Sequence, residues 1–174
     1  MPPSYSAALS SAYVVLRILI VLNWLYGAAI LALLTATIVA EEWTMTALGI
    51  PESSEIRRLI VPLRAIAALG LVTVPLNDAV LRRLLAIIET VRRNNPFVAP
   101  NAKRLQAIAW ALLALQLLSM VIGGIGEAIS TRDFPVVLDA GFSTSGWLAV
   151  LLTFVLARIF AEGTQMREDI EATV

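Results

Sequence analysis

The distribution of charge constrains this chain more than any other feature. Three long segments, residues 18–40, 105–126 and 140–157, contain no charged side chain. A fourth apolar stretch, residues 59–81, is interrupted by only two charges. A bilayer core about 30 Å thick is crossed by roughly 20 helical residues, because each residue of a helix adds about 1.5 Å. The sequence therefore predicts a polytopic membrane protein with four transmembrane helices.

The composition excludes several classes of function. Apolar residues make up 59% of the chain, charged residues 15%, and the formal net charge is zero. A neutral chain offers no bulk attraction for nucleic acid. Cysteine and histidine are both absent, which removes disulfides, thiolate nucleophiles and the common metal and haem ligands. Since no enzymatic motif is visible either, we expect no enzyme activity, no cofactor, no metal site and no direct binding of nucleic acid.

The expected fold class is an all-α bundle of four transmembrane helices in one domain, residues 1–174. The approximate helix spans are 14–40, 59–81, 102–126 and 141–160. The second helix is expected to extend beyond the bilayer into the cytoplasm as far as residue 93.

This extension follows from a 3.6-residue pattern after residue 80. Apolar residues share one face of the segment, and Arg82, Glu89 and Arg93 share the other. Within the same helix, Pro75 is expected to cause a kink because it removes a backbone hydrogen bond. At the start of the third helix, Asn101 is the predicted N-cap.

The basic residues predict the orientation. An even number of crossings places three regions on one side: the N-terminus, the segment between the second and third helices, and the C-terminus. These regions hold nine of the thirteen Lys and Arg residues, namely Arg17, Arg82, Arg83, Arg92, Arg93, Lys103, Arg104, Arg158 and Arg167. Because cytoplasmic segments of membrane proteins carry an excess of Lys and Arg, we expect both termini in the cytoplasm.

Four polar residues lie within or at the ends of the apolar stretches: Arg64, Asn77, Asp78 and Glu127. A charge in hydrocarbon costs about 2.5–3.5 kcal/mol on insertion scales, so it needs a reason. One interpretation is that these side chains line a path for an ion or polar solute. The other is structural. Arg64 would then extend toward the interface, and Asp78 would pair with Arg82 four residues later. Glu127 would mark the end of the third helix.

A second set of distinctive residues lies on the expected cytoplasmic side. The turn between the second and third helices contains two prolines, three asparagines and Phe97, whereas a topogenic loop needs only bases. It is either a rigid turn or a recognition corner with Phe97 as its apolar anchor. The candidate interaction surface consists of Arg82, Arg93, Asn95, Pro96, Phe97, Asn101, Arg104 and Arg167.

Two motifs resemble a known family. The first consists of Asn95-Pro96-Phe97-Val98, Asn101-Ala102-Lys103-Arg104-Leu105 and Ala109-Trp110, and the second is the closing segment, residues 156–174. Together they resemble the signature of a bacterial membrane family called domain of unknown function 2975. The resemblance implies a four-helix protein of the bacterial inner membrane without assigned chemistry. It also implies a link to a small helix-turn-helix regulator, since genes of the family often lie beside one for such a protein.

Two functional hypotheses follow. The leading hypothesis is a regulatory or interaction protein that holds a small cytoplasmic DNA-binding regulator at the membrane and away from DNA. The alternative is a small transporter or channel, formed as a homo-oligomer, that uses the polar residues of the second and third helices. A regulator needs its distinctive residues at the cytoplasmic end, whereas a transporter needs them near the bilayer midplane. The sequence favours the first.

Overall fold

Four long helices form the described part of the chain. The computed structural model describes residues 3–43, 60–93, 97–130 and 138–171. Within these ranges there is no strand, and the helices are α1 (Pro3–Val39), α2 (Ile60–Arg92), α3 (Ala99–Ile129) and α4 (Thr144–Glu171). Each is long and apolar enough to cross a membrane. The predicted all-α bundle of four membrane helices is therefore confirmed, and the chain is a multi-pass membrane protein.

The chain divides into two compact units that differ in charge. The first comprises Met1–Asn23, Leu76–Leu115 and Thr144–Val174, and the second comprises Trp24–Pro75 and Gln116–Ser143. All nine basic residues assigned above to one side belong to the first unit, together with six acids; the second has four bases and seven acids. We call them the basic unit and the acidic unit. The single domain expected from the sequence stays a prediction.

The buried and partly buried residues of α1 lie mainly along one narrow stripe of the helix. The partly or fully buried positions include a series spaced alternately by four and three residues: Leu9, Tyr13, Leu16, Ile20, Asn23, Gly27, Ile30, Leu34 and Thr37. Between them, large apolar side chains such as Val21, Leu25 and Leu33 are exposed. This spacing is that of left-handed helix packing. Lipid tails are as apolar as leucine, so the exposed apolar faces of α1 suit a bilayer.

Helix α2 includes the extension that the sequence predicts. It runs without interruption through Pro75 and reaches Arg92. Arg82, Glu89 and Arg93 are exposed, as their shared polar face predicts. The kink at Pro75 stays a prediction.

Helix α3 has the largest buried share of the four. In its most apolar stretch of 18 residues, 28% of the residues are buried, compared with 6% in the corresponding stretch of α1. It continues to Ile129, past the glycines where the sequence placed its end. These glycines permit a close approach, because a Cβ on Gly123 would lie only 2.6 Å from the Cα of Gly141. The backbone N–H of Gly141 also donates to the Ser119 hydroxyl at 3.1 Å, so the segment before α4 packs against α3 in the acidic unit.

Helix α4 is longer than its predicted span of 141–160. It begins at Thr144 and continues through the polar closing segment to Glu171. Two local contacts stabilise this part. Arg158 and Glu162 form an ion pair of 2.7 Å four residues apart, and the Thr164 hydroxyl donates to the Phe160 carbonyl oxygen at 2.8 Å. Since the segment contains no proline, nothing ends the helix where the apolar run stops.

Candidate functional site

Tyr13 contacts basic residues of two helices in the basic unit. The guanidinium carbons of Arg17 and Arg92 lie 4.8 and 5.4 Å from the centre of its ring. Arg17 is one helical turn along α1, whereas Arg92 is the last residue of α2. A cation over an aromatic face is attracted by the quadrupole of the ring. The first third of α1 and the end of α2 therefore lie together, as the prediction that both belong to one side requires.

Asn101 is the buried centre of a polar cluster between α2 and α3. Its side chain is 0% exposed. Its amide nitrogen donates to Thr90 Oγ1 at 2.6 Å, and its carbonyl oxygen accepts from Arg104 Nη1 at 2.8 Å. Arg104 Nη1 also donates to the backbone oxygen of Ala86 at 3.3 Å. These bonds connect the first turn of α3 to the last turns of α2.

This cluster corrects two expectations. Helix α3 begins at Ala99, and the N–H of Asn101 donates to the Val98 carbonyl at 2.8 Å. Asn101 therefore lies inside the helix, two residues after its first residue, and its prediction as N-cap is wrong. It also does not belong to an exposed surface as expected. Arg104 is only partly exposed and uses its guanidinium in the same cluster.

Phe97 packs against α4. Its ring centre lies 5.1 Å from that of Phe160. A Cβ on Gly163 would lie 3.3 Å from the Phe97 ring, so the absence of a side chain at Gly163 leaves room for the aromatic contact. Phe97 is still 44% exposed. The expected apolar anchor is therefore only partly available, because one side of its ring holds the start of α3 against α4.

The remaining residues of the predicted surface differ in what they contact. The expected pair of Asp78 and Arg82 is confirmed at 2.7 Å. Arg93 lies 3.9 Å from Glu89, and both are exposed. Arg167 is exposed on α4, whereas Asn95 and Pro96 lie outside the described residues.

Among the predicted intramembrane residues, Arg64 forms an ion pair with a residue far away in the sequence. Arg64 Nη2 donates to the Thr37 carbonyl oxygen and, at 2.9 Å, to Glu41 Oε2. Arg64 therefore reaches the end of α1, within the acidic unit. Glu127 is exposed on α3, and Asn77 is partly exposed on α2. Across the described ranges, no group of three or more acidic, histidine or cysteine side chains could hold a metal ion.

Sequence reasoning missed several of these partners. Three partners could not be found from local spacing, because each lies on a different helix or segment from the residue that it contacts. They are Glu41, Thr90 and Phe160. The contact between Tyr13 and Arg17 could have been found, since residues four apart are neighbours on a helix.

Comparison with known families identifies the chain. The family model described as "Protein of unknown function (DUF2975)" matches residues 45–174. The chain belongs to this family. The match includes both motifs noted in the sequence, and α1 precedes it. No curated protein and no solved structure matches the chain. The DUF2975 description assigns no activity.

Proposed function

We propose that this protein is a non-enzymatic regulatory protein of the bacterial cytoplasmic membrane, with both termini in the cytoplasm. The division of charge supports this orientation. The basic unit holds both termini, the segment between α2 and α3, and nine of the thirteen bases. An excess of Lys and Arg is typical of the cytoplasmic side.

We infer that the basic unit binds a small cytoplasmic regulator. The observation that carries this proposal is the contrast between its internal contacts and its exposed charges. Tyr13, Asn101 and Phe97 each connect two helices or segments of the unit, which favours a defined arrangement. Outside these contacts, Arg93 and Arg167 are exposed.

These exposed bases favour a partner with an acidic surface. Exposed ion pairs contribute little, about 0–1 kcal/mol, so an acidic protein can compete with Glu89 for Arg93. Met166 on α4 is 62% exposed and adds an apolar contact beside Arg167. The gene neighbourhood implied by the family makes a small helix-turn-helix regulator the candidate partner. Binding would hold that regulator at the membrane and away from DNA.

The alternative of a transporter or channel has less support. Arg64 pairs with Glu41, and Asp78 pairs with Arg82. Each of these charges is neutralised by a partner within the protein, which gives it a structural role without any transported species. The exposed Glu127 remains the best residue for testing transport.

Crosslinking of the full-length protein in its own membrane tests the regulatory proposal. The test variant is Arg93→Gln/Arg167→Gln, and the matched control is Arg57→Gln/Arg58→Gln, which removes the same charge from the acidic unit. We expect mass spectrometry to identify a small DNA-binding protein with the wild type and the control, and at least about tenfold less of it with the test variant. Expression of the regulator's target genes should change in parallel.

Two results would contradict the proposal. Equal capture of the DNA-binding protein by the test and control variants would show that the exposed bases do not bind it. Capture of only the protein itself would favour the homo-oligomeric alternative, and flux into liposomes, compared between the wild type and Glu127→Gln, would then be the next measurement.

A further inference from the structure

A groove of about 580 Å³ lies between α3 and α4, entirely within the basic unit. Two aromatic contacts set the direction of the helices on either side. Phe97, just before α3, meets Phe160, whereas Trp110, further along α3, meets Phe154 at 5.3 Å. Residue numbers therefore rise along α3 as they fall along α4, so the two helices are antiparallel beside the groove.

The chemistry of the groove changes along its length. On α4 its lining extends from Gln165 to Phe154, which is about 16 Å at about 1.5 Å per residue. Phe154 closes the apolar end, and Thr164 and Gln165 form the other, polar end. Lys103, Gln106 and Arg158 lie between these ends. Several alanines line the rest, so no large side chain fills the space.

The charge of the groove is positive. Lys103 is exposed, and among residues 9–43, 60–93, 97–130 and 138–167 no carboxylate forms an ion pair with it. Arg158 pairs with Glu162 through Nε at 2.7 Å, which leaves the terminal nitrogens of its guanidinium able to donate. The described lining of the groove contains no acidic residue.

The surroundings of the groove are apolar. Trp110 is 58% exposed on α3, and tryptophan is enriched where membranes meet water. On α4, Leu151, Val155 and Ile159 are exposed as well. Since both helices can cross a membrane, an occupant of the groove would have one end among donors and cations and the other against hydrocarbon.

We propose that this groove binds one anionic phospholipid. Lys103 and Arg158 donate to the phosphate oxygens, and Gln106 adds a neutral donor. The rest of the head group extends toward Thr164 and Gln165, and an acyl chain passes Ala157 and Phe154 toward the exposed apolar residues of α4. Basic pockets between transmembrane helices are suited to anionic lipid head groups. A free phosphate would leave the apolar end empty, and the cation of a zwitterionic head group would be repelled by Lys103. The proposal does not depend on the regulatory function.

Native mass spectrometry of the full-length protein tests the site. The purified protein is titrated in detergent with dioleoyl phosphatidylglycerol and, separately, with dioleoyl phosphatidylcholine. The test variant is Lys103→Gln/Arg158→Gln, and the control is Arg82→Gln/Arg93→Gln, which removes two exposed bases of the same unit outside the groove. We expect the Kd for phosphatidylglycerol to rise about tenfold or more in the test variant and less than twofold in the control.

A second variant tests the shape of the groove, and competition with phosphate separates the lipid from a free anion. Ala161→Phe fills the groove and keeps both bases, so it should also weaken phosphatidylglycerol binding. Inorganic phosphate at millimolar concentration should not displace the lipid, because it binds only beside the two bases and makes no apolar contact. Circular dichroism checks that each variant is folded, and the charge variant decides the question if Ala161→Phe does not fold.

Three results would overturn the proposal. One is equal affinity of the wild type for the two lipids. Another is an equal loss in the test and control variants, which would reflect bulk charge. The third is displacement of the lipid by inorganic phosphate, which would indicate a simple anion site.

Discussion

Asn101 illustrates how a single polar residue can organise a largely apolar protein. Its carboxamide is fully buried, and its nitrogen and its oxygen both have partners, Thr90 and Arg104. Thr90 in turn donates to the Ile87 carbonyl at 2.7 Å. A buried polar group without a partner costs about 1–3 kcal/mol, so removal of one member affects the others.

We predict that Asn101→Ala lowers the free energy of unfolding by about 1–3 kcal/mol. Thr90→Val should cost less alone, and the double variant should cost less than the sum of the two. The expected coupling is about 0.6 kcal/mol, the typical value for hydrogen bonds between membrane helices. Reversible unfolding in mixed micelles measures these differences.

Thr35→Val is the matched control for this cycle. The Thr35 hydroxyl donates only to the Leu31 carbonyl of its own helix, so its replacement should be independent of Asn101. Additive effects of Asn101→Ala and Thr90→Val would contradict the cluster.

At the level of secondary structure elements, the packing of α3 depends on where its small residues lie. Gly123 faces the backbone of Ala140 and Gly141, whereas Gly124 has open space where a Cβ would be. Both lie within one helix and are adjacent in sequence, so their intrinsic helix propensities are the same. Any difference between them reports the close approach of the segment before α4.

We predict that Gly123→Ala destabilises the protein by about 1–3 kcal/mol, because the added methyl group overlaps fixed backbone atoms. Gly124→Ala should be neutral or stabilising by up to about 1 kcal/mol, since alanine is the better helix former. Thermal unfolding in detergent distinguishes the two variants. Equal melting temperatures would show that the segment does not pack on α3 as described.

For the whole molecule, the division of charge between the two units is the main constraint on orientation. The unit with nine bases contains both terminal segments, and the other unit contains the excess of acids. This division supports the proposed topology independently of any partner.

We predict that Ser130 and Met166 lie on opposite sides of the membrane. The native chain has no cysteine, so Ser130→Cys and Met166→Cys each introduce a unique label site, and both residues are exposed. An impermeant maleimide should label the Ser130→Cys variant in spheroplasts and the Met166→Cys variant in inverted vesicles. Labelling of both in permeabilised cells is the control, and the reverse pattern would overturn the cytoplasmic termini.

The sequence by itself determined the number of helices, their membrane character and the local pair of Asp78 and Arg82. Bilayer thickness demands long charge-free runs, and an i,i+4 pair depends only on the helix that carries it. Tertiary structure alone decided that Arg64 pairs with Glu41, that Asn101 is buried and that Phe97 packs on Phe160. In helices that are apolar on nearly every side, as α1 is, hydrophobic periodicity does not mark the face that packs. The contacts between helices are therefore set by the shapes and polar groups that meet when they assemble.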